Sequence, residues 1–121
     1  MKPFAEAIGD LELAQKLFGD KQEITWLKDE EWPGNYTRMT ITRDGQMSWK
    51  DEDKYDHDTT LFTGTYTLTG TEEEFTITGT GKSEAYYDAY KDTASAHRDQ
   101  DVTKAFSSER FTGPDFSVIY R

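Results

Sequence analysis

FTGTYTLT, residues 62–69, is the stretch that decides the fold, because a threonine occupies every second position in it. Phe62, Gly64, Tyr66 and Leu68 occupy the positions between the threonines. Successive side chains of a β-strand point to opposite faces, so the stretch predicts a strand with one apolar and one polar face. Threonine suits the solvated face because it is β-branched and ends in a hydroxyl.

The same period of two recurs along most of the chain and predicts seven further strands. For residues 83–91 the pattern leaves two interpretations open, a strand that continues the series or a helix capped by Ser83. We favour the strand, because sequential strands joined by short connections are a common arrangement. The other six predicted strands lie at 24–27, 36–43, 46–50, 75–80, 102–111 and 115–121.

The turn at residues 43–45 sets the register of one hairpin. A three-residue loop, with its glycine in a left-handed bulge position, places Ile41 opposite Met47 and Met39 opposite Trp49. A two-residue loop would place apolar side chains opposite polar ones. Because a one-residue slip exchanges the faces of a strand, the apolar matching selects the three-residue loop.

The next turn, around residues 71–72, is interpreted by the same rule. Apolar matching there places Leu68 opposite Phe75 and Tyr66 opposite Ile77. This register also sets Gly64 opposite Gly79, and two facing glycines are expected to leave room for a ligand.

The N-terminal residues follow a helical period instead. Apolar side chains between Phe4 and Phe18 recur at helical spacing, and Pro3 suits the first turn of a helix. Asp10 is a suitable cap for a second short helix that ends at Gly19. We therefore predict one bent helix or two short ones within residues 1–19. A barrel over 22–121 then completes a single domain, 1–121.

Eight antiparallel strands in ~100 residues usually close on themselves, because closure removes exposed edges. The sequence therefore predicts a mainly β fold, an eight-stranded antiparallel up-and-down barrel with the N-terminal helix closing one end. Loops 29–35, 52–60, 81–82 and 112–115 share one end of this topology, called end A, which is the predicted mouth. The opposite end, called end B, carries turns 43–45 and 70–72, loop 92–101 and the helix.

Two stretches resemble the small bacterial lipocalin-like domains of the calycin group. MTITRDG, residues 39–45, is similar to a family strand that leads into a DG turn. FTGTYTLTGTEEEFTIT, residues 62–78, is similar to the family's GTY-type strand and the hairpin after it. The resemblance covers residues 22–80, without the family's Gly-x-Trp signature, since Gly19 lies seven residues before Trp26. It implies a lipocalin-like β-barrel that holds a ligand.

Composition excludes several classes of protein. The 24 acidic and 14 basic residues give a formal net charge of −10, which opposes binding to nucleic acid. The chain has no cysteine for a disulfide scaffold and no stretch of ~18 apolar residues for a membrane span. Residues 1–20 lack the apolar region of a signal peptide. We therefore expect a cytoplasmic protein, or an extracytoplasmic one if the sequence is a trimmed mature form.

The inward positions of the barrel predict a ligand site, because Trp and Tyr combine a large apolar area with one polar group. The predicted ligand-binding residues are Trp26, Met39, Trp49, Phe62, Gly64, Tyr66, Phe75, Ile77, Gly79 and Tyr87. Carboxylates at end A would focus a negative potential into the mouth. The predicted rim residues are Trp32, Asp53, Asp56 and Asp58. The same pattern also suits a packed core below a solvated acidic rim.

Catalytic, metal and cofactor chemistry find no support in the residue pattern. The acidic loop 51–58 lacks the glycine and glutamate that an EF-hand needs at its sixth and twelfth positions. The predicted strands place His57 at end A and His97 at end B, too far apart to share a metal ion. We therefore predict no catalytic residue, no metal site and no cofactor.

Three hypotheses of function follow. The first is a non-enzymatic module that binds a small apolar or amphipathic ligand, cationic ones included, inside the barrel through end A. The second is an acidic interaction protein or inhibitor that docks a basic protein partner, as the net charge of −10 suggests. The third is a small barrel enzyme of the cyclase or isomerase type that positions its substrate with Tyr66, Tyr87 and Arg121.

Overall fold

A computed structural model describes residues 3–31 and 34–121 and contains one antiparallel sheet of seven strands. Strands β1 to β6 follow one another as a meander, and β7 returns to pair with β1. The order across the sheet is therefore β6-β5-β4-β3-β2-β1-β7. The strands are β1 (Glu23–Asp29), β2 (Asn35–Thr42), β3 (Gln46–Asp53), β4 (Asp58–Gly70), β5 (Phe75–Tyr87), β6 (His97–Ser107) and β7 (Ser117–Tyr120).

The mainly β, antiparallel prediction is confirmed, whereas a closed barrel of eight strands is not. Strand β5 runs without interruption through residues 81–82, which were predicted as a loop. Gly81 lies opposite Gly64 in the ladder, so two residues without side chains let the pairing continue where a break was expected. Residues 83–87 are thus the last five residues of β5, and Asp88–Tyr90 forms a turn of 3₁₀-helix.

This longer β5 changes the end at which the following loop lies. Because β5 reaches end A before it stops, the connection to β6 lies at end A rather than at end B as predicted. His97 begins β6 opposite Ala85, and the backbone N–H of Asp88 donates to the carbonyl oxygen of His57 at 2.8 Å. The prediction that His57 and His97 lie at opposite ends is therefore wrong.

Of the two predicted hairpin registers, one is confirmed and the other is wrong. Ile41 lies opposite Met47 and Met39 opposite Trp49, so the register across the 43–45 turn is confirmed. In the next hairpin, Leu68 pairs with Ile77 rather than with Phe75. The cause is a longer turn, closed by reciprocal backbone hydrogen bonds between Thr71 and Glu74.

That shift of register also overturns the predicted pair of facing glycines. Gly79 lies opposite Tyr66, and Gly64 lies opposite Gly81. A side chain added at Gly79 would meet the sulfur of Met47 and the ring of Phe62. The expected space beside Gly79 is therefore filled by core side chains.

The sheet curls so strongly that distant strands meet across its inner face. The rings of Trp49 on β3 and Phe106 on β6 have centroids 5.1 Å apart, although three strand spacings on a flat sheet would separate them by ~14 Å. Among the described residues, the edge strands β6 and β7 share no ladder pairing. Between them, the chain returns through residues 108–116 and inserts Phe111, fully buried, into the aromatic interior.

The N-terminal segment forms two short helices, a 3₁₀ turn at Glu6–Ile8 and the α-helix α1 (Leu11–Phe18). Asp10 caps α1 as predicted, since its carboxylate accepts from the N–H of Leu13 at 2.9 Å. The N–H of Ala5 donates to the carbonyl oxygen of Arg43 at 2.9 Å. The segment therefore packs at the predicted end of the sheet, against the 43–45 turn.

Candidate functional site

Two neighbouring rows of side chains on the inner face define the candidate site. The aromatic row crosses β1 to β4 as Trp26, Met39, Trp49 and Phe62, each opposite the next in the ladder. Two residues further along each strand toward end A, the polar row crosses the same strands as Lys28, Thr37, Asp51 and Thr60. The inner face thus changes from an apolar core to a polar surface within one row.

A cleft of about 380 Å³ opens above the aromatic row at end A, and we call it the end-A cleft. Its inner limit is Trp49, whose side chain is only 5% exposed. The volume lies within the ~300–1,000 Å³ usual for small-molecule sites. The cleft is lined by Lys28, Asn35, Thr37, Trp49, Asp51, Asp53 and Arg110.

The two cations of the end-A cleft are held by aromatic rings. The guanidinium carbon of Arg110 lies 5.1 Å from the ring centroids of Trp49 and of Phe106. The Lys28 ammonium lies 5.3 Å from the ring centroid of Phe116. Such cation–π contacts fix the position of the charged group. Its N–H donors are not used in these contacts and can still bind a carboxylate.

The two carboxylates of the cleft are held by hydrogen bonds. Thr37, buried to 5% exposure, donates its hydroxyl to Oδ1 of Asp51 at 3.0 Å. Oδ1 of Asp53 accepts from the backbone N–H groups of Tyr55 and Asp56, each at 3.0 Å. The carboxylates are therefore oriented by the protein, and each is held through one oxygen.

Asp58 shows how strongly acidic this end of the molecule is. Partial burial raises the pKa of its carboxyl above the usual value of 3.8, and the charges of Asp53, Asp56, Asp51 and Asp88 raise it further. Asp58 lies directly opposite Asp53 in the ladder, where like charges repel. End A is thus a region of negative potential, and the end-A cleft within it contains two cations.

Most of the predicted interior residues form the packed core. Trp26, Met39, Trp49, Phe62, Tyr66, Phe75 and Ile77 are all buried. Tyr87 is an exception, since its side chain is 61% exposed and the prediction that it points into the interior is wrong. Its position opposite Asp58 lies beyond the reach of the core rings, at the end of the long β4–β5 hairpin.

The predicted rim residues separate in the structure. Asp53 lines the end-A cleft, and Asp56 lies in the turn that Asp53 caps. Asp58 lines a neighbouring cleft of about 250 Å³ together with Tyr87. Trp32 lies outside the described residues.

The residues of the enzyme hypothesis are not brought together. Tyr66 is buried and donates its hydroxyl to the carbonyl oxygen of Thr42 at 2.6 Å. It lies opposite Gly79, eight residues before Tyr87 on β5, a distance of ~26 Å along an extended strand. Burial raises the pKa of the Tyr66 phenol, so it stays protonated at neutral pH. The backbone of Arg121 pairs with that of Glu23.

Five residues of the cleft are absent from the predicted site: Lys28, Asn35, Thr37, Asp51 and Arg110. A signal existed for four of them, because the alternation that points Trp26, Met39 and Trp49 inward also points Lys28, Thr37, Asn35 and Asp51 inward. The predicted inner face includes only the apolar positions and stops before this polar row. Arg110 follows β6 in a 3₁₀ turn, Ser108–Arg110, and no period predicts its position.

Comparison with protein-family models, curated proteins and solved structures gives no match to this chain. The resemblance to lipocalin-like domains therefore stays a proposal. Within residues 3–31 and 34–121, no helix has the length and apolar character needed to cross a membrane. The same residues contain no group of three or more histidine and carboxylate side chains placed to hold a metal ion.

Proposed function

We propose that this protein is a non-enzymatic binding module that holds a small amphipathic molecule in the end-A cleft. The observation that carries the proposal is the polar row above the aromatic row, in particular two cations that no carboxylate neutralises. Within the described residues, Lys28 and Arg110 have no ion-pair partner closer than 4.0 Å, although Asp51 and Asp53 line the same cleft.

The energetic argument is that unneutralised charges beside an apolar core do little for folding. Arg110 and Asp51 are exposed and Lys28 and Asp53 are half-buried, so water solvates these charges and an ion pair among them would add little stability. Here rings hold the cations, while the carboxylates are held by Thr37 and by backbone N–H groups. Such an arrangement leaves both kinds of charge available to a ligand.

The proposal takes the curled sheet as a lipocalin-like barrel in which residues 108–116 bridge the edges β6 and β7. The ligand then lies above the aromatic core rather than inside it, because Phe111 and Phe106 occupy the centre. The aromatic row would contact the apolar part of the ligand through Trp49 only. An amphipathic molecule therefore suits the cleft better than a wholly apolar one.

Native mass spectrometry of freshly purified protein, followed by calorimetry with the retained molecule, tests this function. We expect a retained small molecule, and we expect Arg110→Gln to weaken its binding at least tenfold. Lys82→Gln is the matched control, because it removes the same charge from an exposed position on the outer face of β5. Protein that retains nothing and binds no amphipathic probe, or binding that Arg110→Gln leaves unchanged, would contradict the proposal.

Docking of a basic protein partner is a second candidate function. The raised pKa of Asp58 supports it, because part of this shift reflects mutual repulsion of carboxylates at end A that a basic partner would relieve. A lysine-rich peptide should bind at low salt and dissociate at high salt. The double variant Asp56→Asn/Asp58→Asn should bind more weakly than the control Glu72→Gln/Glu73→Gln, which removes the same charge from the exposed turn at end B. Equal binding of the two variants would count against a docking site at end A.

A further inference from the structure

We propose that the ligand of the end-A cleft is a small zwitterion, with its carboxylate on Lys28 and Arg110 and its ammonium group on Asp51 and Asp53. This inference rests on the proposed function and adds the chemical class of the ligand. It is carried by four charged side chains that line one cleft without pairing among themselves.

The donors available in the cleft come from the two cations. The guanidinium carbon of Arg110 lies 5.1 Å from the ring centroids of Trp49 and Phe106, and the guanidinium donates no hydrogen bond within the described residues, so its N–H groups remain for an acceptor. Lys28 keeps its three N–H donors beside the ring of Phe116. A carboxylate is the acceptor that matches an arginine fork.

The acceptors available in the cleft come from the two carboxylates. Asp51 and Asp53 each use Oδ1 for their hydrogen bonds. Within the described part of the chain, Oδ2 of neither residue accepts a hydrogen bond. An ammonium group carries three donors and a positive charge, so it suits two such oxygens.

The spacing of the polar row separates the two kinds of charge by the width of a small molecule. Lys28 pairs with Thr37, and Thr37 pairs with Asp51, so two strand spacings, ~10 Å, separate the Cα atoms of Lys28 and Asp51. Their side chains line the same cleft, and within the described residues they form no ion pair. A molecule that carries both charges can bridge this gap.

The charge of the whole molecule favours a zwitterion over either simple ion. The charges that line the cleft are two positive and two negative, while the chain as a whole carries −10. A simple anion is repelled at long range by the net charge, and a simple cation meets Lys28 and Arg110 inside the cleft. A zwitterion has no net charge and finds a partner for each of its ends.

Calorimetry with matched probes tests the inference on the whole protein. The zwitterions are glycine and phenylalanine, whose ammonium groups carry three N–H donors; at pH 6, N-acetylphenylalanine keeps only the negative charge of phenylalanine, and phenylalaninamide keeps only the positive one. We expect phenylalanine to bind, and its two singly charged derivatives to bind at least tenfold more weakly. Arg110→Gln and Asp53→Asn should each weaken zwitterion binding at least tenfold, and Lys82→Gln should leave it unchanged.

The outcomes separate this inference from the proposed function. If a singly charged probe binds as tightly as the zwitterions and Arg110→Gln still weakens it, the cleft is a binding site and the zwitterion class is wrong. If no zwitterion binds while a different molecule is retained in the cleft, the class is again wrong. If no probe binds and nothing is retained, both proposals fail. Circular dichroism of each variant establishes that it is folded, and Asp51→Asn replaces Asp53→Asn if the latter is not.

Discussion

The rings of Trp26 on β1 and Phe75 on β5 have centroids 5.8 Å apart. Four strand spacings separate these strands, which would place the two rings ~19 Å apart on a flat sheet. The contact therefore requires the sheet to curl until its inner face meets itself. Phe111 lies in the same cluster, 5.0 Å from Trp26 and 5.8 Å from Phe75, so a residue from the 108–116 segment packs into the core that the sheet encloses.

Phe111→Ala tests the role of this residue in closing the core. The side chain is fully buried, and its removal leaves a cavity among Trp26, Trp49 and Phe75. We expect the free energy of unfolding to fall by about 3–5 kcal/mol, measured by urea denaturation. Phe116→Ala, on the same segment but only partly buried, should cost less. A loss under about 1 kcal/mol for Phe111→Ala would mean that the segment does not complete the core.

Gly64→Ala tests the close approach of β4 and β5. A Cβ atom at Gly64 would run into the backbone carbonyl of Thr80, which cannot move without breaking the ladder. We expect the variant to be strongly destabilised or unable to fold. Gly113→Ala is the matched control, since no atom lies within 4 Å of its added Cβ, and its stability should change by less than about 0.5 kcal/mol. Equal melting temperatures of the two variants would show that the ladder does not need the glycine.

Asp58→Asn is expected to stabilise the protein at neutral pH. A carboxyl whose pKa is raised on folding binds its proton more tightly in the folded state, so its ionised form lowers stability. This loss is present above the folded pKa and disappears as the pH falls toward the unfolded value, 3.8. The melting temperature of Asp58→Asn should therefore exceed that of the wild type at pH 7, and the difference should shrink on acidification.

Asp101→Asn is the control for that change of net charge, because Asp101 is exposed on β6, away from the end-A carboxylates. It should shift the melting temperature less than Asp58→Asn does at pH 7. An equal gain from both variants would mean that the overall charge, rather than the Asp53–Asp58 pair, limits stability.

Tyr66→Phe should remove the hydrogen bond from the phenol to the carbonyl oxygen of Thr42. At neutral pH we expect a loss of about 1 kcal/mol, the usual net contribution of one hydrogen bond. The raised pKa of the phenol means that the wild type loses stability as the pH rises above the unfolded value of 10.0, whereas the variant lacks this loss. Urea denaturation at pH 7 and above pH 10 checks both expectations. A difference in the free energy of unfolding between wild type and variant that does not change with pH would contradict the assignment.

The sequence predicts only part of the candidate site. Alternation placed Trp26, Met39 and Trp49 on the inner face, and the same alternation could have extended to Lys28, Thr37 and Asp51. Arg110 was predicted within the strand 102–111, but β6 ends at Ser107 and Arg110 is the last residue of the 3₁₀ turn Ser108–Arg110, where no regular period relates a side chain to a face. The register of the β4–β5 hairpin was missed because apolar matching does not distinguish a shift of two residues, which keeps every side chain on its face.

The local features of this protein follow from its sequence alone: alternating threonines make half-solvated strands, Asp10 and Gly19 bound the helix, and the 43–45 turn sets its hairpin. These features depend on neighbours in the chain, so short-range chemistry is sufficient to specify them. The curl of the sheet, the insertion of Phe111 between β6 and β7, and the meeting of Lys28, Asp51, Asp53 and Arg110 in one cleft were decided by the tertiary structure. They depend on how seven strands pack around shared aromatic rings, and no local pattern carries that information.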